Sequence, residues 1–277
     1  MKYLRLILLI SILGFGSYLL LQAPLIQQGL LLIISVLTIL WLLSLYLKDA
    51  SIVDSFWGMG FAILAWFYYV GLNPSPNPKN LILCVLVSIW AIRLSVYIGL
   101  RNHGKGEDYR YQAMRAEAGT AFWWVSYLRV FILQGVLLWI IASPLFFAQN
   151  VNQSFQVFDY VGIILWCIGF GFEAIGDFQL SQFKKNPNNK GQVMNQGLWH
   201  YTRHPNYFGD ALLWWGYYCF AVSAGAWQTI FAPILMTFLL MKVSGVALLE
   251  QSLKQSKPQY QDYIRKTSAF FPWLPKQ

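Results

Sequence analysis

The segment GLWHYTRHPNYFGD, residues 197–210, combines two tyrosine hydroxyls, two imidazole rings, a guanidinium, an amide and a carboxylate. An apolar run follows at once, and Pro205 stands at a position favoured for the first residue of a helix. The chain is 57% hydrophobic and 11% charged, so it has little reason to gather these groups at a helix entrance unless they bind something. The alternative interpretation is a helix start with the positive charge typical of cytoplasmic loops.

The remaining sequence has the composition of a polytopic membrane protein. A mean hydropathy of +0.47 with 18% aromatic residues excludes an ordinary soluble surface. A membrane-crossing helix needs about 20 residues. The stretches of suitable length run over residues 4–21, 29–47, 55–72, 81–100, 125–148, 158–178, 207–224 and 228–249. The sequence therefore predicts an all-α fold with about eight transmembrane helices, in one membrane domain over residues 1–277.

Basic residues fall in alternate loops and predict the orientation. The connections at 22–28, 149–157 and 223–227 contain no Lys or Arg, and residues 73–80 contain only Lys79. Because basic loops remain in the cytoplasm, we expect both termini to be cytoplasmic. The net charge of +9 follows largely from this asymmetry, so no nucleic-acid partner is needed to explain it.

Residues 1–24 predict an additional helix. Lys2 and Arg5 precede a long apolar run, as in a secretory signal. Because no convincing small-residue cleavage site follows, a retained anchor is the favoured interpretation.

Residues 197–210, together with Asp177 and the tail segments KPQYQDYIR (257–265) and FPW (271–273), resemble the steroid 5α-reductase superfamily. The similarity extends over residues 45–277 and is densest over 170–277. Within the superfamily the chain looks most like bacterial members of unassigned substrate (DUF1295-like). The resemblance implies an enzyme of the bacterial inner membrane that uses NADPH to saturate an activated C=C bond. Its substrate would be an apolar steroid-like or lipid molecule entering from the lipid, and no obligate protein partner is evident.

The cofactor site is predicted on the cytoplasmic side. No acid occurs between Asp177 and Asp210, whereas lysines, Arg203 and several asparagines are interspersed there. This composition suits an anion with many hydrogen-bond acceptors, although a solvated positive loop explains the lysines equally well. The cofactor-binding residues taken from the resemblance and this pattern are Arg101, Asn102, Asp177, Lys184, Tyr201, Arg203, His204, Asn206, Tyr207, Asp210, Tyr260 and Tyr263. Glu173 lies four residues before Asp177 and is expected on the same helix face.

Asp54 is the predicted catalytic acid. In the reductases of known substrate, a glutamate and a tyrosine grip the substrate ketone. Asp54 stands where that glutamate is expected, whereas Trp90 occupies the place of the tyrosine. Tyr97 and Tyr207 are therefore the candidate catalytic hydroxyls. The alternative for Asp54 is a helix N-cap or a first-turn acid without a catalytic part.

Two other classes of protein remain open at the sequence level. The first is an S-adenosylmethionine-dependent methyltransferase of the isoprenylcysteine or phospholipid type, whose motif also contains Arg-His-Pro followed by Tyr. Those enzymes usually pair two adjacent glutamates late in the chain, whereas here Gln251 follows Glu250. The second is a non-enzymatic transporter or scaffold. The three histidines show no spacing typical of zinc, and no metal is predicted.

Overall fold

The computed structural model describes residues 14, 23–72, 77–243, 245, 246, 249, 250, 253 and 259–276. The predicted span at 4–21 therefore lies outside the described residues, apart from Gly14. Over the described part the chain is helical, and β-pairing is limited to one isolated bridge between Thr202 and Ser268. The all-α class is thus confirmed there.

Five helical stretches of the described chain are long and apolar enough to cross a membrane, as suits a multi-pass membrane protein. They are Pro24–Leu47, Ile52–Leu72, Pro78–Asn102, Tyr109–Gln149 and Val157–Lys185. The predicted span at 207–224 is present as the helix Pro205–Ser223, which is not among these five. The predicted span at 228–249 corresponds to a shorter apolar helical run, Trp227–Val243.

The chain divides into two compact units. The first comprises the described residues up to Phe155 together with Ala224–Ala232. Its helices are α1 (Pro24–Leu47), α2 (Ile52–Leu72), α3 (Pro78–Asn102), α4 (Tyr109–Ala118), α5 (Phe122–Ser126), α6 (Leu133–Ile141) and α7 (Ser143–Gln149). A 3-10 turn at Gly119–Ala121 and a π-helical segment at Tyr127–Ile132 connect α4 to α6, and a second 3-10 helix spans Trp227–Ile230. The predicted span at 125–148 therefore continues a helical run that begins at Tyr109.

The second unit comprises Gln156–Ser223 and the described residues from Pro233 onward. Its helices are α8 (Val157–Lys185), α9 (Leu198–Tyr201), α10 (Pro205–Ser223), most of α11 (Phe231–Phe238) and α12 (Tyr260–Lys266). It also contains a 3-10 turn at Pro187–Asn189 and a π-helical segment at Leu239–Val243. The many Asn, Gln and Gly residues over 179–206 favour an irregular segment. In the structure α8 continues to Lys185, and from there to the start of α10 the segment contains only the two short helical turns at Pro187–Asn189 and Leu198–Tyr201.

Glycines allow α8 and α10 to pack backbone to backbone in antiparallel directions. Gly162 of α8 faces Gly216 of α10, and Gly169 faces Gly209. Each would bring an added Cβ close to the partner backbone, at 2.7 Å from the Gly216 oxygen for Gly162 and 2.6 Å from the Gly209 oxygen for Gly169. Small residues at such contacts let membrane helices approach closely. We call these glycine contacts the glycine seam. The seam explains how α10, which has a more polar start, packs alongside the candidate span α8.

Gly169→Ala is expected to destabilise the second unit, whereas Gly171→Ala is its matched control on the same helix. Overpacking costs about 1–3 kcal/mol. A Cβ at position 171 would meet nothing within 4 Å among the described residues, so there the helix propensity of alanine, about 0.5–1 kcal/mol, acts alone. Thermal unfolding in detergent measures both variants. Equal stability of the two would contradict the close seam.

Candidate functional site

Asn206 and Asp177 form the centre of the polar cluster in the second unit. Asn206 is the second residue of α10, and its Nδ2 donates to Asp177 Oδ1 at 3.0 Å. Asp177 is only 3% exposed. An ionised carboxylate only accepts hydrogen bonds, so this contact fixes which side of the amide faces Asp177. It leaves Asn206 Oδ1 buried, with no hydrogen-bond donor among the described residues. An unsatisfied buried acceptor costs about 1–3 kcal/mol, and a ligand N–H or O–H would remove that cost.

Two further carboxyl groups lie one helical turn from this centre. Glu173 precedes Asp177 on α8 and is 3% exposed, and Asp210 follows Asn206 on α10 and is half-buried. Gly209 allows the helices to meet here, since a Cβ at that position would lie 2.9 Å from the Cβ of Glu173. Acidic groups inside a helix pair are costly unless they have partners. Four polar residues, each one helical turn from the next on its own helix, form a polar stripe along this helix pair: Glu173 and Asp177 on α8, and Asn206 and Asp210 on α10.

Arg203 joins the turn before α10 to the C-terminal segment. Its Nε and Nη2 lie 2.7 and 2.6 Å from Glu250 Oε1. Its Nη1 donates to the carbonyl oxygens of Ile264 and Thr267. The side chain is 7% exposed. All three guanidinium nitrogens are therefore engaged within the protein, and a contact to a cofactor phosphate would require some of these hydrogen bonds to open.

His204 completes this cluster from the next position. Its Nε2 lies 3.4 Å from the same Glu250 oxygen, and its ring stacks on Tyr207 with 5.7 Å between centroids. Burial lowers the pKa of His204 below its ordinary value, against the opposing effect of Glu250. Burial alone would raise the pKa of Glu250, but His204 and Arg203 hold it below the usual range. Neutral imidazole and ionised carboxylate are thus the expected states at neutral pH.

The tail tyrosines face the protein interior. Burial raises the pKa of Tyr260 to about 12. The Tyr263 hydroxyl donates to the carbonyl oxygen of Trp199. Both rings are buried, so the structure places these two predicted cofactor residues in the packing between α12 and the turn at 198–204. Lys184 and Tyr201, by contrast, are exposed.

Glu250→Ala is expected to destabilise the second unit by about 3–5 kcal/mol, the scale of removing one partner from a buried ion pair. The control is Asp262→Ala, which removes an ion pair with Arg265 whose side chains are 76% and 66% exposed. Exposed pairs contribute about 0–1 kcal/mol. Thermal unfolding of the two variants gives the comparison. Similar small losses of stability in both variants would show that the Arg203–Glu250 pair does not stabilise the second unit.

In the first unit, Asp54 is bound by two residues at the start of α4. Its Oδ2 lies 2.6 Å from Arg110 Nη2, and its Oδ1 accepts a hydrogen bond of 2.6 Å from the Tyr111 hydroxyl. Asp54 lies in the first turn of α2, and Asp49, just before the helix, accepts a hydrogen bond at its Oδ1 from the backbone nitrogen of Ser51 at 2.8 Å. The position of Asp54 thus agrees with the interpretation of a first-turn acid, and its catalytic role stays a prediction. Neither Arg110 nor Tyr111 was among the residues predicted for the site.

In the segment 106–115 acidic residues precede basic ones, which predicts a short helix, and the structure has the helix α4 there. Asp108 caps α4 by accepting from the Arg110 backbone nitrogen at 3.0 Å. Burial alone would raise the pKa of Asp108, but the hydrogen bonds from Arg110 lower it below the usual value. The cap fixes the first turn of α4, which carries Arg110 and Tyr111 to Asp54.

The remaining predicted residues of the first unit lie along α3. Guanidinium carbons of Arg93 and Arg101 lie 5.3 and 5.9 Å from the Tyr97 ring centroid. Arg101 Nε donates to Asn102 Oδ1 at 3.1 Å. Trp90 is fully buried, 5.7 Å from the ring of Phe61. Trp90 is therefore a core residue of the first unit.

Over the described residues the protein is all-helical, its apolar helices suit a multi-pass membrane protein, and a largely buried amide and carboxyl cluster lies at one helix pair. The chain belongs to the family described as "Protein of unknown function (DUF1295)", which matches residues 40–267. It is 27% identical over 279 residues to an uncharacterized protein of Schizosaccharomyces pombe (strain 972), covering 89% of this chain and 79% of that protein. It is 41% identical over 46 residues to the probable O-methyltransferase ustE of Ustilaginoidea virens, covering 17% of this chain and 16% of that protein. No solved structure matches.

Proposed function

We propose that this protein is a membrane-embedded reductase that uses NADPH to saturate an activated C=C bond in an apolar, steroid-like or lipid substrate. The observation that carries the proposal is the buried Asn206 Oδ1, which accepts no hydrogen bond from the described residues. The hydrogen bond from Asn206 Nδ2 to Asp177 fixes the amide in this orientation. An amide oxygen in this position fits the carboxamide N–H of a nicotinamide or a ribose hydroxyl. The carboxyl of Asp210 supplies a further acceptor one turn away.

The basic loop that follows α8 supports the choice of NADPH over NADH. Lys184, Lys185 and Lys190 are exposed at its start. A cofactor 2′-phosphate favours nearby cationic side chains. Arg203 contributes to this end of the site by holding the turn that carries Asn206, because its guanidinium is committed to Glu250 and to the tail carbonyls.

The nicotinamide would supply a hydride to the carbon β to a carbonyl group. The residues of the chain must then bind the carbonyl and provide a proton. By resemblance this role belongs to Asp54, which can donate a proton only in its carboxylic acid form. In its ionised form Asp54 pairs with Arg110 and accepts a hydrogen bond from the Tyr111 hydroxyl, so we propose that these two residues stabilise the carboxylate that remains after the proton has been donated. General acid assistance of this kind contributes about 10²–10⁴-fold to a rate.

A second candidate function is S-adenosylmethionine-dependent methyl transfer. Two observations favour it: the partial match to a probable O-methyltransferase, and the contact of Arg203 and His204 with the late glutamate Glu250. Against it, the ion pair with Arg203 already occupies Glu250 Oε1. By resemblance, the methyltransferase motif also has an apolar residue at the position of Asp210.

Isotope transfer distinguishes the two reactions. The purified protein in nanodiscs is incubated with NADPH carrying deuterium at the transferable position of the nicotinamide, and with a panel of enones, sterols and unsaturated acyl lipids. The reductase predicts product that is heavier by one deuterium on the carbon β to the carbonyl. Parallel reactions with methyl-labelled S-adenosylmethionine test the alternative. Methylated product without deuterium transfer would reject the reductase.

A further inference from the structure

The last described residues form an extended segment that is fixed to the turn before α10. The Thr202 hydroxyl donates to the Phe270 carbonyl oxygen at 2.8 Å, and the Arg203 backbone nitrogen donates to the Ser268 carbonyl oxygen at 2.9 Å. The Trp273 backbone nitrogen donates to the Tyr201 carbonyl oxygen at 3.0 Å. These bonds place the tail beside the entrance of a helix that runs along a candidate membrane span.

Aromatic contacts give the depth of this tail relative to α10. The ring centroids of Phe270 and Phe271 lie 6.0 and 6.2 Å from that of Phe208, which is in the first turn of α10. Phe208 itself lies 5.1 Å from Phe172 of α8. The tail therefore lies beside the first turn of α10.

Three large apolar side chains of the tail point away from the protein. Phe271, Trp273 and Leu274 are 63%, 76% and 74% exposed. Such a cluster is unfavourable in water and marks a contact surface. Unlike the exposed residues of the long helices, these lie on non-helical backbone beyond the last helix, so exposure on a lipid-facing span does not account for them.

Basic residues flank the same cluster. The Lys276 backbone nitrogen donates to the Lys266 carbonyl oxygen at 2.8 Å, which brings the two lysine positions together. Both residues are exposed. Tryptophan favours the headgroup region of a bilayer, and basic residues near the surface are attracted to anionic lipids. Apolar and cationic groups side by side match the chemistry of a bilayer interface.

We propose that residues 270–276 are an interfacial anchor. Phe271, Trp273 and Leu274 insert into the boundary between headgroups and acyl chains, and Lys266 and Lys276 contact anionic headgroups. The anchor fixes the turn at 201–203, and with it the start of α10, to the membrane surface. This inference does not depend on the cofactor or on the reaction.

Spin-label accessibility tests the anchor in the full-length protein. The three native cysteines are replaced by serine, and Trp273→Cys and Leu274→Cys are labelled separately in nanodiscs containing phosphatidylglycerol. Arg265→Cys is the matched control, because this side chain on α12 is 76% exposed and not part of the apolar cluster. Labels at 273 and 274 are expected to collide more with oxygen than with a water-soluble nickel chelate, and the label at 265 is expected to show the reverse.

Two outcomes would overturn the anchor. Preferential collision with the nickel chelate at both 273 and 274 would place the tail in water. Low accessibility to both reagents would show that protein, such as a second copy of the chain, covers the cluster. The use of two labelled positions keeps the test valid when one variant fails to fold.

Discussion

Asp54→Asn is expected to lower turnover about 100-fold or more while NADPH binding persists, which is the scale of losing general acid assistance. The variant keeps the size of the side chain but removes the charge that Arg110 faces and weakens the hydrogen bond from Tyr111. Single-turnover rates on an accepted substrate, with NADPH titrations of the same preparation, separate chemistry from cofactor binding.

Tyr111→Phe is the companion variant, because it removes the hydroxyl proton while it leaves the Asp54–Arg110 pair in place. Thermal unfolding shows whether either change acts through stability. Near-normal turnover of folded Asp54→Asn would reject the acid role and move attention to Tyr97, Tyr207 and Glu173.

Asn206→Ala and Asp210→Ala are expected to weaken NADPH binding about tenfold or more, because a lost hydrogen bond to a buried ligand group costs about 1–3 kcal/mol. For Asn206 the structure adds a second effect, since the same substitution removes the hydrogen bond to Asp177. Asn150→Ala is the control, because Asn150 is an exposed asparagine of the first unit and is not among the predicted cofactor residues. Unchanged affinity in folded Asn206→Ala and Asp210→Ala would remove these residues from the site.

Local sequence signals account for much of the fold. Long apolar runs located the five long membrane helices because hydropathy is a property of consecutive residues. The four-residue spacing of Glu173 and Asp177 predicted a shared face, and both residues are buried. Hydropathy also located α10, which was predicted over residues 207–224 and is observed as Pro205–Ser223, although it is not among the five candidate spans. The glycine contacts between α8 and α10 could not be predicted from hydropathy.

Contacts between distant residues were not readable from one sequence. Arg203 meets Glu250 across 47 positions, and Tyr111 meets Asp54 across 57. No periodicity or motif links these pairs. For this reason Arg203 was predicted to bind the cofactor, whereas in the structure its guanidinium contacts Glu250 and the tail. For the same reason Arg110 and Tyr111, which contact Asp54, were not predicted. Asn206 and Asp177 were predicted as separate ligands, whereas their mutual hydrogen bond leaves one amide oxygen open.

Ligand-dependent stabilisation of the wild-type protein tests the central claim most directly. Thermal unfolding is followed in detergent over a concentration series of NADPH, NADH and S-adenosylmethionine. A ligand at 100 times its dissociation constant stabilises by about 2.7 kcal/mol. The reductase predicts saturable stabilisation by NADPH, weaker stabilisation by NADH, and a response that is shifted to about tenfold or more higher NADPH concentration in Asn206→Ala but not in Asn150→Ala. Stabilisation by S-adenosylmethionine with no response to NADPH would contradict the account.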